Sequence, residues 1–246
     1  MLRRWVVARN VVTGDVQHER DMKLLQSLIH PGDKTIDIGA NVGLYTKLMS
    51  ILVQASGHVF AIEPISNNYA ILIDVIRKAN LSNVSTFPVA LSAADGTGTM
   101  VVPKGESFTG YYLAHLTDDT AEAGEYYQVT KTTLDALIPE HDAIAFIKCD
   151  VEGAELDVFQ GGKTLLTSSK PIILVEVSKG TSDAVFHMLL SLGFQGYVYR
   201  AGLGPTETFL DGEFSNYFFV HPAQIFSILN DGIFERENIT KIISEI

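Results

Sequence analysis

From residue 35 to residue 62 the chain runs through a short apolar strand, a turn with glycines at 39 and 43, a segment of helical period and a second apolar strand. No other feature limits the fold as much. A strand that passes through a glycine turn straight into a helix returns over the sheet to a parallel neighbour, which makes a βαβ unit. The first strand covers residues 35–38, the helix 44–54 and the second strand 58–62, with Ser56-Gly57 ending the helix. The unit then repeats: residues 66–79 carry Ala, Leu and Ile at helical spacing, and residues 84–91 form a third strand. Upstream, residues 19–29 place Met22, Leu25, Leu28 and Ile29 on one helical face, which Pro31-Gly32-Asp33 closes off.

Residues 95–134 interrupt the rhythm. Two alternating segments, 98–102 and 126–132, flank a polar stretch with Ser107, Thr109, Gly110, Thr117, Asp118 and Asp119, the pattern of a hairpin carrying a flexible excursion. Beyond it the alternation resumes with a strand at 144–149, a helix at 152–166, a strand at 171–177 and a helix at 182–192. Strands at 194–200 and 216–221 follow with no helix between them, so this last pair is expected to be antiparallel. Pro222 opens a short C-terminal helix. Solid apolar strands such as Ile144-Ala145-Phe146-Ile147 imply burial on both faces, so the expected fold is α/β, a mostly parallel sheet with helices on both sides. Without a dividing linker, residues 1–246 form one domain: a helical lead-in at 1–33, a hairpin and lid-like insertion at 95–134, and a C-terminal helix and tail at 222–246.

Composition narrows the function. A net charge of -11 repels a phosphate backbone, so nucleic acid is not an expected partner. The lone Cys149 excludes an internal disulfide and a Cys-rich zinc site, and fits a reducing compartment. The apolar run 5–8 is cut by Arg9 and Asn10, well short of a signal peptide's core, and no stretch reaches the ~18 apolar residues of a membrane span. A cytoplasmic location without membrane association is the expectation.

In a sheet of this type the ligand lies beyond the carboxyl ends of the strands. What the strands deliver there is acidic: Asp37 before the turn Gly39-Ala40-Asn41-Val42-Gly43, Glu63 after the second strand, Asp150 and Glu152 after the fourth, and Glu176 after the fifth. A dinucleotide fold places G-x-G-x-x-G in the first turn so that backbone can approach a pyrophosphate. Here Asn41 and Leu44 stand at the second and third glycine positions, which weakens that reading. S-adenosylmethionine carries no phosphate and bears a sulfonium cation, so a glycine turn with carboxylates suits it better. Glu63, 24 residues after Gly39, stands where an acid accepts both ribose hydroxyls.

Four blocks in order, Asp37-Ile38-Gly39-Ala40-Asn41-Val42-Gly43-Leu44-Tyr45-Thr46, Glu63-Pro64, Ala90-Leu91-Ser92 and Lys148-Cys149-Asp150-Val151-Glu152-Gly153-Ala154-Glu155, resemble the FkbM family of methyltransferases over roughly residues 19–220. The resemblance implies a Rossmann-like class I methyltransferase fold, a seven-stranded sheet with an antiparallel last strand, and an S-adenosylmethionine-dependent O-methyltransferase. It further implies that residues 39–43 lie along the methionine and ribose, with Asp37 beside them, Glu63 on the ribose, Leu91 and Ser92 near the adenine, and Thr46 at the methionine carboxylate. Cys149 departs from the apolar or β-branched residue expected within the Lys-x-Asp block, and strand alternation turns it toward a packed helix.

Methyl transfer to a hydroxyl asks for alignment first, worth ~7 to 11 kcal/mol, and a positioned base second, worth about 10² to 10⁴ in rate. Asp150, with Lys148 on the same strand face, is either a unit orienting the cofactor's amino group or the acceptor hydroxyl, or a structural ion pair. Glu176 is a second candidate base or a solvated rim acid; Glu155 favours the dipole of the following helix, and Glu152 is open. His115, with Tyr111 and Tyr112, lies on the excursion, either a lid over the acceptor or an ordinary surface loop. Asp150, Glu152 and Glu176 offer oxygen ligands, but no His pair stands at ligand spacing and no metal is assigned. The expected acceptor is a small-molecule hydroxyl, on a sugar or natural-product scaffold. Two other functions remain: a NAD-dependent oxidoreductase, and a non-catalytic cofactor-binding module that uses residues 233–246 to hold a partner. Ile225, Phe226 and Leu229 offer an apolar seam for a homodimer.

Overall fold

The computed structural model describes residues 2–14, 20–104, 114–117, 123–138, 142–177, 180–199, 203–210 and 216–228, and the side chains of 2–5, 20, 21 and 226–228 fall outside that description. Helices α1 (Leu2–Thr13) and α2 (Arg20–Leu28) precede strand β1 (Lys34–Ile38), α3 (Leu44–Val53), β2 (His58–Ile62), α4 (Ser66–Lys78) and β3 (Val84–Phe87). After β4 (Ala90–Leu91) the interruption contains β5 (Gly96–Pro103), β6 (His115–Leu116) and β7 (Gly124–Thr132), and α5 (Leu134–Leu137) leaves it. Then come β8 (Ile144–Cys149), α6 (Glu155–Gln160), α7 (Lys163–Ser169), β9 (Ile172–Glu176), α8 (Ser182–Ser191), β10 (Gln195–Tyr199), β11 (Leu203–Thr206), β12 (Asn216–Val220) and α9 (Pro222–Ile228).

The main sheet has the order β11-β10-β12-β9-β8-β1-β2-β3. From β9 to β3 its pairs are parallel, and β12 enters antiparallel between β9 and β10. The expected antiparallel final strand is therefore present, inserted inside the edge. The strand β11 adds an eighth member beyond β10, in a stretch where no strand is expected. Its Gly204-Pro205 pair reads as a turn, yet Pro is tolerated on an edge, where one side of the strand needs no donor.

Strand alternation divides the core. Ile36, Ile38, Ile147, Cys149, Ile173 and Val175 face Val158, Phe159, Leu166, Val185 and Leu189 of α6 to α8. The opposite face carries Val59, Phe146, Leu174 and Phe218 against Met22, Leu25, Leu48, Met49 and Val53 of α2 and α3. Both faces are covered, which is why these strands are apolar throughout. Cys149 lies on the α6 side, as alternation indicates, and burial pushes its thiol far above the ordinary range.

Helix α1 packs Val7, Ala8, Val11 and Val12 over Val42, Ile71 and Val75, so it backs the glycine turn and α4. The Lys47 ammonium donates to the Val11 and Val12 carbonyls at 2.9 and 2.7 Å, partners for acceptors that the last turn of a helix leaves open.

Three expected elements differ. The strand expected at 84–91 breaks at Pro88, and its second half, β4, leaves the main sheet to pair with β7. The helix expected at 152–166 is two helices: a Cβ on Gly161 would sit 2.2 Å from the Ser92 carbonyl and one on Gly162 2.7 Å from Leu134. That close approach separates α6 from α7, and Asp135 caps α7 through the Thr164 and Leu165 amides at 3.0 and 2.9 Å. Ile225 is fully buried in the core rather than on a seam, while the Phe226 side chain, Leu229 and residues 233–246 lie outside the described residues.

The strands of the 95–134 segment join β4 in a second sheet, β4-β7-β5-β6. Met100, Val102 and Val129 bury its inner face against Ala90 and against Ile65, which follows the carboxyl end of β2. Asn67 in α4 donates to the Tyr127 hydroxyl at 2.9 Å, and the Ser92 amide donates to the Thr132 carbonyl at 2.9 Å. The hairpin is thus fastened beside the strand ends. The polar stretch with Ser107, Thr109, Gly110, Tyr111, Tyr112, Asp118 and Asp119 lies outside the described residues. Among the described residues no helix is long and apolar enough to cross a membrane.

Candidate active site

The glycine turn is shaped by contacts that only glycine permits. Gly39 has φ +77°, and a Cβ there would stand 1.8 Å from the Asp150 carbonyl oxygen, so β1 and β8 converge at this point with no room for a side chain. Gly43, at φ 89°, is the N-cap of α3 and lies under Leu72. Asn41 adopts the left-handed region at φ 50°, which Asn tolerates better than most residues.

The amides of this turn are already bonded inside the protein. Those of Gly39 and Ala40 donate to the Ile62 carbonyl at 3.1 and 2.9 Å, and that of Gly43 to Ala40 at 2.8 Å. The Asn41 amide donates to Glu63 Oε2 at 2.8 Å. Asp37, fully buried, stands at the start of α3, where Oδ2 accepts the Thr46 hydroxyl at 2.5 Å and the Thr46 amide also favours its anion. A carboxylate thus holds the place where a dinucleotide fold puts a pyrophosphate.

Asp37 pairs in register with Lys148 on β8. Burial raises its pKa above the ordinary carboxylate value against the pull of Lys148 and Thr46. Its Oδ1 meets no donor among the described residues, and neither does the side-chain oxygen of Asn41 meet a partner. Lys148 is nearly buried and donates to Asp150 Oδ2 at 2.8 Å, with its ammonium 4.8 Å from the centre of the Tyr45 ring. Burial alone would lower the Lys148 pKa, but Asp150 and Asp37 outweigh it and the net direction is upward.

Glu63, 4 % exposed, uses Oε2 for Asn41 and Oε1 for the Ile65 amide, at 2.8 Å each. Burial pushes its carboxyl up to about 7, against these amides and the Asn68 side chain. It joins the first turn to the end of the second strand, a role its strand-end position alone does not reveal. With the Asn68 side chain as a third donor, one lone pair of the carboxylate is left for an incoming hydroxyl.

Leu91 and Ser92, both buried, lie where the second sheet leaves the main one. Asp150 and Glu176 close the neighbouring strands β8 and β9. Glu152 stands in a left-handed turn, φ 53°, with Gly153 at φ 103°, and is open to solvent. Partial desolvation, with the charges of Asp150, Glu176 and Glu155, raises Glu152 to about 7, and His115 opposes the rise. His115 comes from β6, so the second sheet brings an imidazole to the acidic rim. Glu155 is buried and occupied, accepting from the Gly153 amide at 2.9 Å and the Thr181 hydroxyl at 3.2 Å.

The predicted carboxylates therefore form two tiers, Asp37 and Glu63 buried below and Asp150, Glu152 and Glu176 on the rim. Tyr45 under Lys148 and Asn68 on Glu63 join the site without having been singled out. Tyr45 is signalled only by its place one residue before Thr46, and Asn68 has no sequence signal. Among the described residues no group of three or more His, Cys, Asp or Glu side chains is arranged to hold a metal ion.

The model of the methyltransferase FkbM domain matches residues 37–199. No curated protein matches the chain. Among solved structures, the chain is similar to methyltransferase FkbM from Methylobacillus flagellatus KT, at 16% identity and a TM-score of 0.53, over 89% of this chain and 59% of that one. It is also similar to a SAM-dependent O-methyltransferase from Thermotoga maritima, at 13% identity and a TM-score of 0.48, over 82% of this chain and 64% of that one. The chain spans less than two thirds of either structure. The first likeness shows the fold, the Rossmann-like α/β architecture of class I methyltransferases.

Proposed function

Since the chain belongs to the FkbM methyltransferase family, we propose that it transfers a methyl group from S-adenosylmethionine to a hydroxyl of a small molecule, a sugar or a natural-product scaffold. The observation that carries this reading is the state of the glycine turn. Four of its amides are occupied within the protein and Asp37 fills the start of α3, so a pyrophosphate would meet a carboxylate instead of free donors. The same arrangement suits a cationic nucleoside, and the buried Asp37 Oδ1 and the Asn41 side-chain oxygen, without donors among the described residues, accept what such a ligand offers. The NAD-dependent oxidoreductase is disfavoured on this ground.

When bound, S-adenosylmethionine supplies a methyl group made electrophilic by its sulfonium. Residues Gly39, Ala40, Asn41 and Gly43 line it, with Thr46 and Asp37 at its methionine end. Glu63 takes a ribose hydroxyl with its remaining lone pair, and Leu91 and Ser92 border the adenine. Lys148 holds Asp150 in place to orient the ligand's amino group or the acceptor hydroxyl. Glu176 and His115 face the acceptor, and the second sheet walls that side against water.

A thermal unfolding scan with S-adenosylmethionine, S-adenosylhomocysteine and NAD in parallel tests the reading. At about 100 times the dissociation constant a ligand stabilises by about 2.7 kcal/mol, which for a chain of this size raises the midpoint by roughly 5 to 10 °C. Both sulfur nucleotides are expected to give this shift and NAD none. A shift with NAD alone reinstates the oxidoreductase.

A further inference from the structure

Helix α1 precedes residues 37–199, which match the methyltransferase FkbM domain, yet it is packed onto the back of the glycine turn. Its Ala8, fully buried, meets Val42, the residue between Asn41 and Gly43, together with Ile71 and Val75 of α4. Val7, Val11 and Val12 border the same cluster half-buried, while Val6, Arg9 and Asn10 are exposed.

Lys47 fastens the end of this helix. The Asn10 carbonyl accepts from the Gly14 amide at 2.7 Å and that of Arg9 from the Thr13 hydroxyl at 3.0 Å. The next two carbonyls, of Val11 and Val12, accept from the Lys47 ammonium at 2.9 and 2.7 Å. Lys47 is 8 % exposed, a nearly buried cation set at the negative end of a helix dipole. Its own amide donates to the Gly43 carbonyl at 3.0 Å, and it follows Thr46, whose hydroxyl holds Asp37. One residue thus ties the end of α1 to the turn assigned to the nucleotide.

We infer that docking of α1 and binding of the nucleotide are coupled, with Lys47 as a positioning residue that acts on the turn through α1. The inference rests on the methyltransferase reading above. Val42 is the physical link, since its side chain is buried in the contact with α1. Its neighbour Asn41 is held at φ 50°, a conformation that persists where the surroundings impose it. Asn41 gives its amide to Glu63, and its buried side-chain oxygen has no donor among the described residues, so a ligand that reaches it favours the same turn from the other side. Two contacts that each select one conformation of one turn strengthen each other. Docking of α1 is also open to such a bias: Ala8 is its one fully buried residue among the described side chains, and a helix of 12 residues is marginal in water by itself. Undocking unravels α1, uncovers Val42, Ile71 and Val75, and returns the Lys47 ammonium to water.

Hydrogen exchange and calorimetry with S-adenosylhomocysteine test this on the full chain. Saturating S-adenosylhomocysteine is expected to slow amide exchange at residues 7–13 of the wild type by about tenfold, although the nucleotide is assigned no contact with α1. Lys47→Met keeps the stem and removes the ammonium, and Ala8→Asp places a charge in the apolar contact. Each variant is expected to speed exchange at residues 7–13, to leave β1 and β8 protected, and to bind S-adenosylhomocysteine about tenfold more weakly. Linkage requires the slowing in the wild type to equal the loss of affinity in a variant whose α1 is fully undocked. A helix that serves stability alone moves neither the dissociation constant of the folded variants nor the response of α1 to the nucleotide. The inference is overturned if S-adenosylhomocysteine binds and exchange in α1 stays as it was, or if either variant releases α1 and keeps the wild-type affinity. Should a variant fail to fold, the wild-type exchange measurement decides alone. Failure of the wild type to bind S-adenosylhomocysteine is a different result: it removes the methyltransferase reading, and this inference falls with it.

Discussion

Gly39 and Glu63 show how single residues set the cleft. Alanine at Gly39 must adopt φ +77° and put a Cβ into the Asp150 carbonyl, whereas alanine at Gly43, though it must adopt φ +89°, has as its one tight contact the flexible end of the Leu72 side chain, 2.7 Å away. Gly39→Ala is therefore expected to cost at least about 2 kcal/mol in urea unfolding and to abolish nucleotide binding, with Gly43→Ala clearly milder. For Glu63 the sign follows from its raised carboxyl. The folded protein holds this proton up to about 7 and the unfolded chain only to 4.5, so stability from this group is full below pH 4.5 and is lost as pH rises to about 7. Glu63→Gln removes that dependence. Its stability relative to the wild type should improve between pH 5 and 8, by up to about 3 kcal/mol, and an unchanged difference would refute the assigned burial effect. The turn glycines and the acid at the end of β2 were legible as residues, because spacing and strand ends are local. That Glu63 holds the Asn41 and Ile65 amides was not, since the bond depends on how two loops approach each other.

At the scale of elements, the second sheet is the part that sequence periodicity described least fully. Alternation at 98–102 and 126–132 indicated the hairpin, and β5 and β7 pair along its whole length. Its attachment came from elsewhere: β4 paired to β7, Ile65 in its core, and the Asn67 to Tyr127 bond. Tyr127→Phe removes the acceptor for Asn67 and the donor to Glu125, both at 2.9 Å. The change is expected to cost about 0.5 to 1.5 kcal/mol. Amide exchange should speed up in β5 and β7 and stay the same in β1 and β8; uniform acceleration would mean that the two sheets open as one. The split of the 152–166 helix has the same kind of cause. Gly161 and Gly162 look tolerable within a helical pattern, and only the nearness of Ser92 and Leu134 makes them a break.

Across the whole molecule, the order of strands gathers the site from distant parts of the chain. β1 lies between β2 and β8, so the first turn, Glu63 and Asp150 meet at the centre of the sheet, while β10 and β11 form its far edge. Binding of S-adenosylhomocysteine is accordingly expected to slow amide exchange at residues 39–43, 63–65 and 91–92 and to leave β10 and β11 unaffected; protection at that edge instead would locate the nucleotide elsewhere. The sequence by itself determined the α/β class, the parallel strands, the antiparallel ending and the acids at the strand ends, because each follows from periodicity or from position along one strand. Only the tertiary structure decided that Asp37 and Glu63 are buried, that Lys148 is bound to Asp150, and that Glu152 stands on a left-handed turn. Burial, and the proton affinities that follow from it, depend on which segments pack over a side chain, and those segments come from residues far away in the sequence.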